Sequence, residues 1–265
     1  MKMKNLLTIN IENALEKRTE CPLCYLNEKD ENRFLETFYS EWVMDPILRE
    51  NIIEVRGFCR YHWHQLLRFA EAHPEKFGLA LVQENLVREH LMRLELLRSN
   101  ARRLTNAEEQ RKHRCVFRRM LIRRESMVGF AERVFNDLRI IEERCPACRS
   151  LSESTRTHIR VLIQMLVEDQ GFRDAFKGSN GLCLSHLIDV VQIASRKARE
   201  KDFASIIDAL LLPETEAFRR LRFELSEFIR KHDYRFASER WGSEKDVVDR
   251  VTLKLAGSSR LVTLG

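Results

Sequence analysis

The sequence is poor in residues that terminate helices: its 265 residues include only 9 Gly and 5 Pro. Residues that propagate helices, such as Leu, Glu, Arg, Lys and Ala, dominate instead. Hydrophobic residues make up 44% of the chain, enough to fill the core of one large or two modest domains. We therefore expect an all-α protein with a packed core.

Long hydrophobic runs are also missing. The best one, IIDALLL at 206–212, is interrupted by Asp208, whereas a membrane-spanning helix needs about 18 apolar residues or more. The N-terminal segment MKMKNLLTINIENALEKRT has too few successive apolar residues for a secretory signal. These absences predict a cytoplasmic protein without a membrane span. In a reducing compartment, its seven cysteines are expected to be metal ligands rather than disulfides.

The chain contains an internal duplication. The motif GFCRYH at 57–62 recurs as GLCLSH at 181–186, and CPLC at 21–24 recurs as CPAC at 145–148. Four residues repeat at a constant offset of 124: Cys21, Cys24, Cys59 and His62 become Cys145, Cys148, Cys183 and His186. Because cysteine is rare here, coincidence does not explain this match. It predicts two related helical units forming a pseudo-symmetric protein.

The two units are expected to divide near residue 105. A long amphipathic helix runs toward Arg103, and Thr105 and Glu108 have the spacing of a capping box that starts another helix. The predicted halves are therefore 1–104 and 105–265, the second carrying a C-terminal extension.

Each CPxC and CxxH pair supplies the donors of a closed Cys₃His metal site. Proline is natural in the first turn of a helix, whose amides favour a thiolate. Because four protein ligands leave no position for water, we expect structural zinc, two ions per chain. Disulfides would leave the two histidines unexplained. Thiol redox chemistry at CPxC and a mixed Cys/His iron-sulfur cluster remain alternatives.

Spacing does not decide which donors share an ion. Cys21 and Cys24 can pair with Cys59 and His62 of the same unit, or with the CxxH motif of the other half. Pairing within each unit is simpler, and we expect it.

Positive charge is concentrated in the middle of the chain. Residues 98–124 contain ten Lys or Arg against two Glu, a local net charge of +8, whereas the whole chain has +6. Four arginines are candidate phosphate contacts: Arg111, Arg114, Arg118 and Arg119. The stretch therefore predicts nucleic-acid binding, although a solvated helix surface explains the same charges and few aromatic residues accompany them.

The segment RKHDYRFASERWGSEKD has no equivalent in the first half. His232, Asp233, Tyr234 and Arg235 can form a polar cluster that binds an anion or moves a proton. The alternative is a turn after a helix, anchored by Phe236 and Trp241.

In combination, these motifs resemble an uncharacterised family of bacteria and archaea, a domain of unknown function. The shared features are the two CPxC motifs, GFCxxH, GLCxxH, the KHDYRF segment at 231–236 and the following Trp241-Gly242. The resemblance covers most of the chain and implies no established activity. Our leading hypothesis is a non-enzymatic, zinc-stabilised interaction or adaptor module with an unknown protein partner. A nucleic-acid-associated protein is the first alternative, and a thiol-redox or iron-sulfur protein the second.

Overall fold

The computed structural model describes residues 6–72, 76–112, 144–197, 199–236 and 238–258, with the single positions 129, 132, 134 and 136. Ten α-helices occupy this part of the chain: α1 (Leu6–Glu16), α2 (Pro22–Thr37), α3 (Pro46–Glu54), α4 (Arg60–Ala72), α5 (Phe77–Lys112), α6 (Pro146–Glu168), α7 (Gln170–Lys177), α8 (Leu184–Lys197), α9 (Glu200–Lys231) and α10 (Val247–Ala256). The described residues contain no β-strand. The all-α prediction is confirmed.

None of the helices described here has the length and apolarity that crossing a membrane requires.

The duplication is visible in the local structure. Asp45 caps α3 by accepting hydrogen bonds from the amides of Ile47 and Leu48, and Asp169 caps α7 through the amide of Phe172. The helix after each GxC motif begins at equivalent positions, 60 and 184. The two copies differ in the segment before the capping aspartate. In the first copy, α2 is followed by a π-helical turn at Phe38–Trp42. In the second copy, the equivalent residues belong to α6, which continues to Glu168.

The predicted helix start at Thr105 is wrong. Helix α5 continues through this position to Lys112. A Ser/Thr-x-x-Glu pattern is also compatible with a helix interior when strong helix formers such as Leu104 and Ala107 surround it. The capping-box signal was therefore outweighed by its neighbours.

The chain divides into two compact units. The first unit comprises Met1–Asn32 and Ser150–Gly265, and the second comprises Arg33–Arg149. These units differ from the sequence halves 1–104 and 105–265, because each compact unit contains one CPxC and one GxCxxH motif from different halves. The halves remain a proposal about the duplicated sequence.

Each unit has its own core. In the first unit, aliphatic residues of α1, α2, α6 and α9 pack with Phe172 and Phe176 of α7. The core of the second unit is rich in aromatic rings, with Phe38 and Phe58 in edge-to-face contact at 5.4 Å between centroids. The cysteines belong to these cores themselves, Cys21, Cys24 and Cys183 to the first and Cys145 to the second, so core packing positions these thiols.

The two GxC turns require glycine. Gly57 and Gly181 have φ of +99° and +73°, in the region that L residues rarely adopt. At Gly181 a Cβ would also lie 2.5 Å from Oε1 of Glu214. This carboxylate is held in place, since it accepts a hydrogen bond from the amide of Leu182.

We expect Gly181→Ala to lower the free energy of unfolding by roughly 2–4 kcal/mol, because it combines backbone strain with displacement of a charged hydrogen-bond partner. Urea unfolding of the two proteins measures the change. Gly178→Ala is the control, because its φ is −86° and a Cβ there would have 3.6 Å to its nearest neighbour. Equal losses in both variants would contradict the assignment.

Candidate metal centres

Eight Cys and His side chains form two clusters. The first centre, in the first unit, contains Cys21, Cys24, Cys183 and His186; the second centre, in the second unit, contains Cys59, His62, Cys145 and Cys148. In each cluster the four donor atoms lie within 4.8 Å of one another, so each cluster can hold a metal ion. The eight residues singled out by the duplication are thus brought together in two groups.

The first centre is compact and buried. The Nδ1 atom of His186 lies 3.4 Å from Sγ of Cys21, 3.5 Å from that of Cys24 and 3.3 Å from that of Cys183. The sulfurs of Cys24 and Cys183 are 3.6 Å apart. None of the four residues is more than 4% exposed.

The second centre has nearly the same dimensions. The Nδ1 atom of His62 lies 3.2 Å from Sγ of Cys59, 3.5 Å from that of Cys145 and 3.3 Å from that of Cys148. The sulfurs of Cys59 and Cys148 are 3.6 Å apart. These two cysteines are partly exposed, however, whereas Cys145 and His62 are buried.

These spacings fit a tetrahedral ion. Zn–S bonds of about 2.3 Å and Zn–N bonds of about 2.0–2.1 Å place tetrahedral sulfurs roughly 3.8 Å apart and sulfur and nitrogen roughly 3.6 Å apart. The measured separations of 3.2–3.6 Å are close to these edges. They are far longer than a disulfide bond of about 2.05 Å, and the six cysteines of the centres are all free.

The expectation of pairing within each sequence unit is wrong. The CPLC cysteines meet Cys183 and His186, and the CPAC cysteines meet Cys59 and His62. The donors are therefore crossed between the two halves of the duplication. The simpler pairing failed because each compact unit is assembled from both halves, so that CPLC shares a unit with GLCLSH and CPAC shares one with GFCRYH.

The close donors of the second centre shift one another's pKa values. Burial lowers the pKa of His62, but hydrogen bonds and charges from Cys145 and Cys59 outweigh it and raise the pKa to about 9. Hydrogen bonds from Cys145 and Cys148 lower the pKa of Cys59, whereas those from Cys145 and Cys59 raise the pKa of Cys148. The thiol of Cys59 thus ionises more readily than that of Cys148, and His62 holds a proton more readily than a free imidazole. A divalent ion would compensate all three thiolates and release the remaining protons.

In the first centre, too, the pKa of one cysteine is lowered and that of another is raised. Hydrogen bonds from Cys21 and Cys24 lower the pKa of Cys183, while burial raises the pKa of Cys21 well above its usual value. The pKa of His186 is raised to about 9, because the bonds and charges of Cys183 and Cys24 outweigh the effect of burial.

An amide orients the histidine of the first centre. The side-chain amide of Asn27 lies 3.2 Å from Nε2 of His186 on one side and 2.8 Å from the hydroxyl of Thr155 on the other. That hydroxyl is also 2.8 Å from the carbonyl oxygen of Leu151, to which its single proton can be donated.

A metal on Nδ1 leaves the proton of the imidazole on Nε2, so Nε2 becomes a donor. In the structure, the amide nitrogen of Asn27 faces Nε2 of His186, and its oxygen accepts from Thr155. With a metal on Nδ1, the reversed amide would present its oxygen to His186 and its NH₂ group to Thr155, whose proton would go to Leu151. The oxygen and nitrogen of an amide have nearly the same shape, so this orientation fits the same positions. In this series of hydrogen bonds from His186 through Asn27 and Thr155 to Leu151, each donor then faces an acceptor. In the duplicated sequence, Leu151 itself stands 124 residues after Asn27, so the CPAC motif is not followed by such an amide.

A buried ion pair holds the loop that carries Cys183. Lys254 of α10 is 0% exposed, and its Nζ lies 2.6 Å from Oε2 of Glu214 and donates to the carbonyl of Asn180 at 2.5 Å. Glu214 in turn accepts a hydrogen bond from the amide of Leu182, next to Cys183. Helix α10, in the C-terminal extension, thus secures the turn of the first centre. No sequence pattern predicts that Lys254 is buried, since buried lysines are rare.

The predicted C-terminal polar cluster is divided. Asp233 and Arg235 form a two-pronged ion pair on the surface. His232 packs between Phe228 and Trp241, and its Nδ1 lies 2.8 Å from the carbonyl of Phe228. Tyr234 is 87% exposed. This arrangement is that of a turn after α9 anchored by rings.

The basic stretch lies mostly outside the described residues. Arg111 falls within α5, but its side chain is not described, and Arg114, Arg118 and Arg119 lie outside the described part of the chain. The predicted phosphate contacts therefore stay a prediction from the sequence.

Comparison with known proteins agrees with the motifs. Residues 1–261 match a family of unknown function, DUF6062. The chain belongs to this DUF6062 family. No curated protein and no solved structure matches it. The function of this DUF6062 member must therefore be argued from its two centres.

We expect Asn27→Leu to weaken metal binding at the first centre by roughly 10–100-fold, because His186 loses the partner that orients it. Competition with a chromogenic chelator measures the loss. Asn32→Leu makes the same change at an exposed position of α2 and should leave the affinity unchanged. Asn27→Gln, which keeps an amide, should recover part of the affinity; equal weakening by the Gln and Leu variants would count against an orienting role.

Proposed function

We propose that this protein is a non-enzymatic helical scaffold in which two structural zinc ions close two compact units, and that it serves as an interaction or adaptor module. The observation that carries the proposal is the crossed arrangement of the Cys and His donors. Each ion would join a CPxC turn to a CxxH turn from a distant part of the chain.

Zinc is the ion that best fits the donor sets. Three thiolates and one imidazole at tetrahedral spacing are typical of structural zinc, and four protein donors leave no position for a substrate. An iron-sulfur cluster spreads its ligands over several iron atoms. Here all four donors of a centre lie within 4.8 Å of one another, which suits a single ion.

The stabilisation supplied by such an ion is large on the scale of a domain. Structural zinc contributes roughly 10–16 kcal/mol in small zinc peptides at neutral pH, against a net stability of about 5–15 kcal/mol for a domain. In this protein each ion would fix segments separated by 83–165 residues. Loss of an ion would loosen its own unit first.

The role as an interaction module has support from α5. Val87, Leu91 and Leu94 follow one another at four- and three-residue spacing and are 66%, 55% and 56% exposed. An apolar row of this kind is more typical of a surface that meets another protein than of a catalytic site. The free thiols of both centres agree with the cytoplasmic location that the sequence predicts.

We expect the purified protein to contain two zinc ions per chain, each bound by three sulfurs and one nitrogen. Elemental analysis and X-ray absorption at the zinc edge measure number and ligands. An iron-sulfur absorption band, or a chain that folds identically without any metal, would contradict the proposal.

Because the donors are crossed, Cys59→Ala should remove one ion and accelerate hydrogen exchange at least about tenfold around Cys145 and Cys148, while the CPLC turn stays protected. Cys183→Ala is the matched counterpart and should expose the CPLC turn instead. Hydrogen exchange with mass spectrometry of both variants compares the two patterns. If Cys59→Ala exposed Cys21 and Cys24 and spared Cys145, the crossed assignment would be wrong.

A further inference from the structure

The two centres have the same donors but different access to solvent. All donors of the first centre are buried, whereas Cys59 and Cys148 of the second centre are partly exposed. These two are also neighbours, with their sulfurs 3.6 Å apart. The second centre therefore presents a pair of adjacent thiols that a small reagent can reach.

An exposed arginine directly follows each cysteine of this pair. Arg60 directly follows Cys59 and Arg149 directly follows Cys148, and both arginines are exposed. At the equivalent positions of the first centre, Tyr25 follows Cys24 and Leu184 follows Cys183. A neighbouring cation favours a reactive thiolate and attracts anionic reagents.

A groove lies on the exposed side of α4, the helix that begins directly after Cys59. It has a volume of about 390 Å³ and is lined by residues on one face of α4: Arg60, Tyr61, His64, Gln65 and Arg68. Arg60 and Arg68 supply two permanent positive charges, and Tyr61 and Gln65 are held together by a hydrogen bond of 2.6 Å. The residues of α8 equivalent to the two arginines are Leu184 and Gln192, which carry no charge. The groove is thus a feature of the second centre's copy of the helix.

We propose that Cys59 and Cys148 form a thiol–disulfide exchange site for an anionic low-molecular-weight disulfide, which the basic groove of α4 attracts, and that this exchange opens the second centre while the first stays closed. The inference rests on the proposed function in that the four donors hold a metal ion in the resting protein.

The thiol–disulfide exchange takes two steps. The Cys59 thiolate attacks one sulfur of the disulfide RSSR, so that a Cys59–SR bond forms and one RS⁻ leaves. The Cys148 thiolate then attacks the Cys59 sulfur, so that a Cys59–Cys148 bond forms and the second RS⁻ leaves. The two cysteines lose two electrons together, and the external disulfide gains them. His62 and Cys145 alone cannot complete the Cys₃His set afterwards.

The first centre has an equally close pair of sulfurs, Cys24 and Cys183 at 3.6 Å, but lacks the other conditions for this reaction. Its sulfurs are buried, its Cys183 turn is clamped by Glu214 and Lys254, and no arginine follows its cysteines. The same disulfide therefore meets one accessible pair and one closed set within a single chain, which makes the first centre an internal control.

The experiment uses the full chain with Cys115→Ser, so that every remaining sulfur of cysteine belongs to a centre, loaded with zinc and incubated anaerobically with oxidised glutathione. A chromogenic chelator follows metal release, and peptide mass mapping locates the new disulfides. We expect one equivalent of metal released per chain, a Cys59–Cys148 disulfide, and unmodified Cys21, Cys24 and Cys183.

The variant Arg60→Gln/Arg68→Gln tests the groove without touching a metal donor. It should react with oxidised glutathione about tenfold more slowly, and at the parent rate with the uncharged bis(2-hydroxyethyl) disulfide. Arg219→Gln/Arg222→Gln removes two exposed charges from α9 and should match the parent with both reagents.

Release of both equivalents in parallel, a disulfide within CPLC, or an unchanged rate in the α4 variant would each overturn the proposal. A purified chain that never holds zinc would instead overturn the proposed function. The peptide map separates the two failures, because it reports which cysteines react whether or not metal is present.

Discussion

The structure depends on a crossed connection: each donor set is completed only when a CPxC turn meets the CxxH turn of the other half. Cys24 and Cys183 are separated by 159 residues, and His62 and Cys145 by 83. The compact units match this arrangement, since each contains one whole centre and its own core. Each half carries the four residue types of a complete donor set, yet each observed set takes one motif from each half. Both copies of the duplicated unit therefore contribute to each centre.

The composition and the repeat were sufficient to predict helices and all eight donors, because rare residues at a constant offset are a strong signal. The partners of those donors could not be predicted in the same way. Pairing within a unit would close loops of 35 residues between Cys24 and Cys59 (59 − 24), against 159 for the observed pairing. Each doubling of a loop costs only about 0.6 kcal/mol, so about two doublings add roughly 1.2 kcal/mol. Packing of whole helices easily outweighs such a difference, and the motifs contain no information on it.

Features outside the repeat were harder still to foresee. A lysine near the C-terminus is usually a surface residue, yet Lys254 is completely buried because Glu214 and the carbonyl of Asn180 compensate its charge. Its partner Glu214 is read from the sequence as one more charge on a long helix. Only the fold brings these residues to the loop before Cys183. Removing either partner would leave the other charge buried and unpaired. The ion pair therefore links the added C-terminal helix to the first centre.

The two centres of the duplicated chain have the same donor types, but the residues around them differ. Around the first centre the changes all restrict motion and access: Asn27 fixes the imidazole, Lys254 fixes the turn, and the sulfurs are buried. Around the second centre, Leu151 stands where the amide would be, and Arg60 and Arg149 follow exposed thiols. The two centres therefore combine the same donors with different access and different neighbouring charges. The asymmetry is what one expects if one centre holds the fold and the other responds to the solution around it.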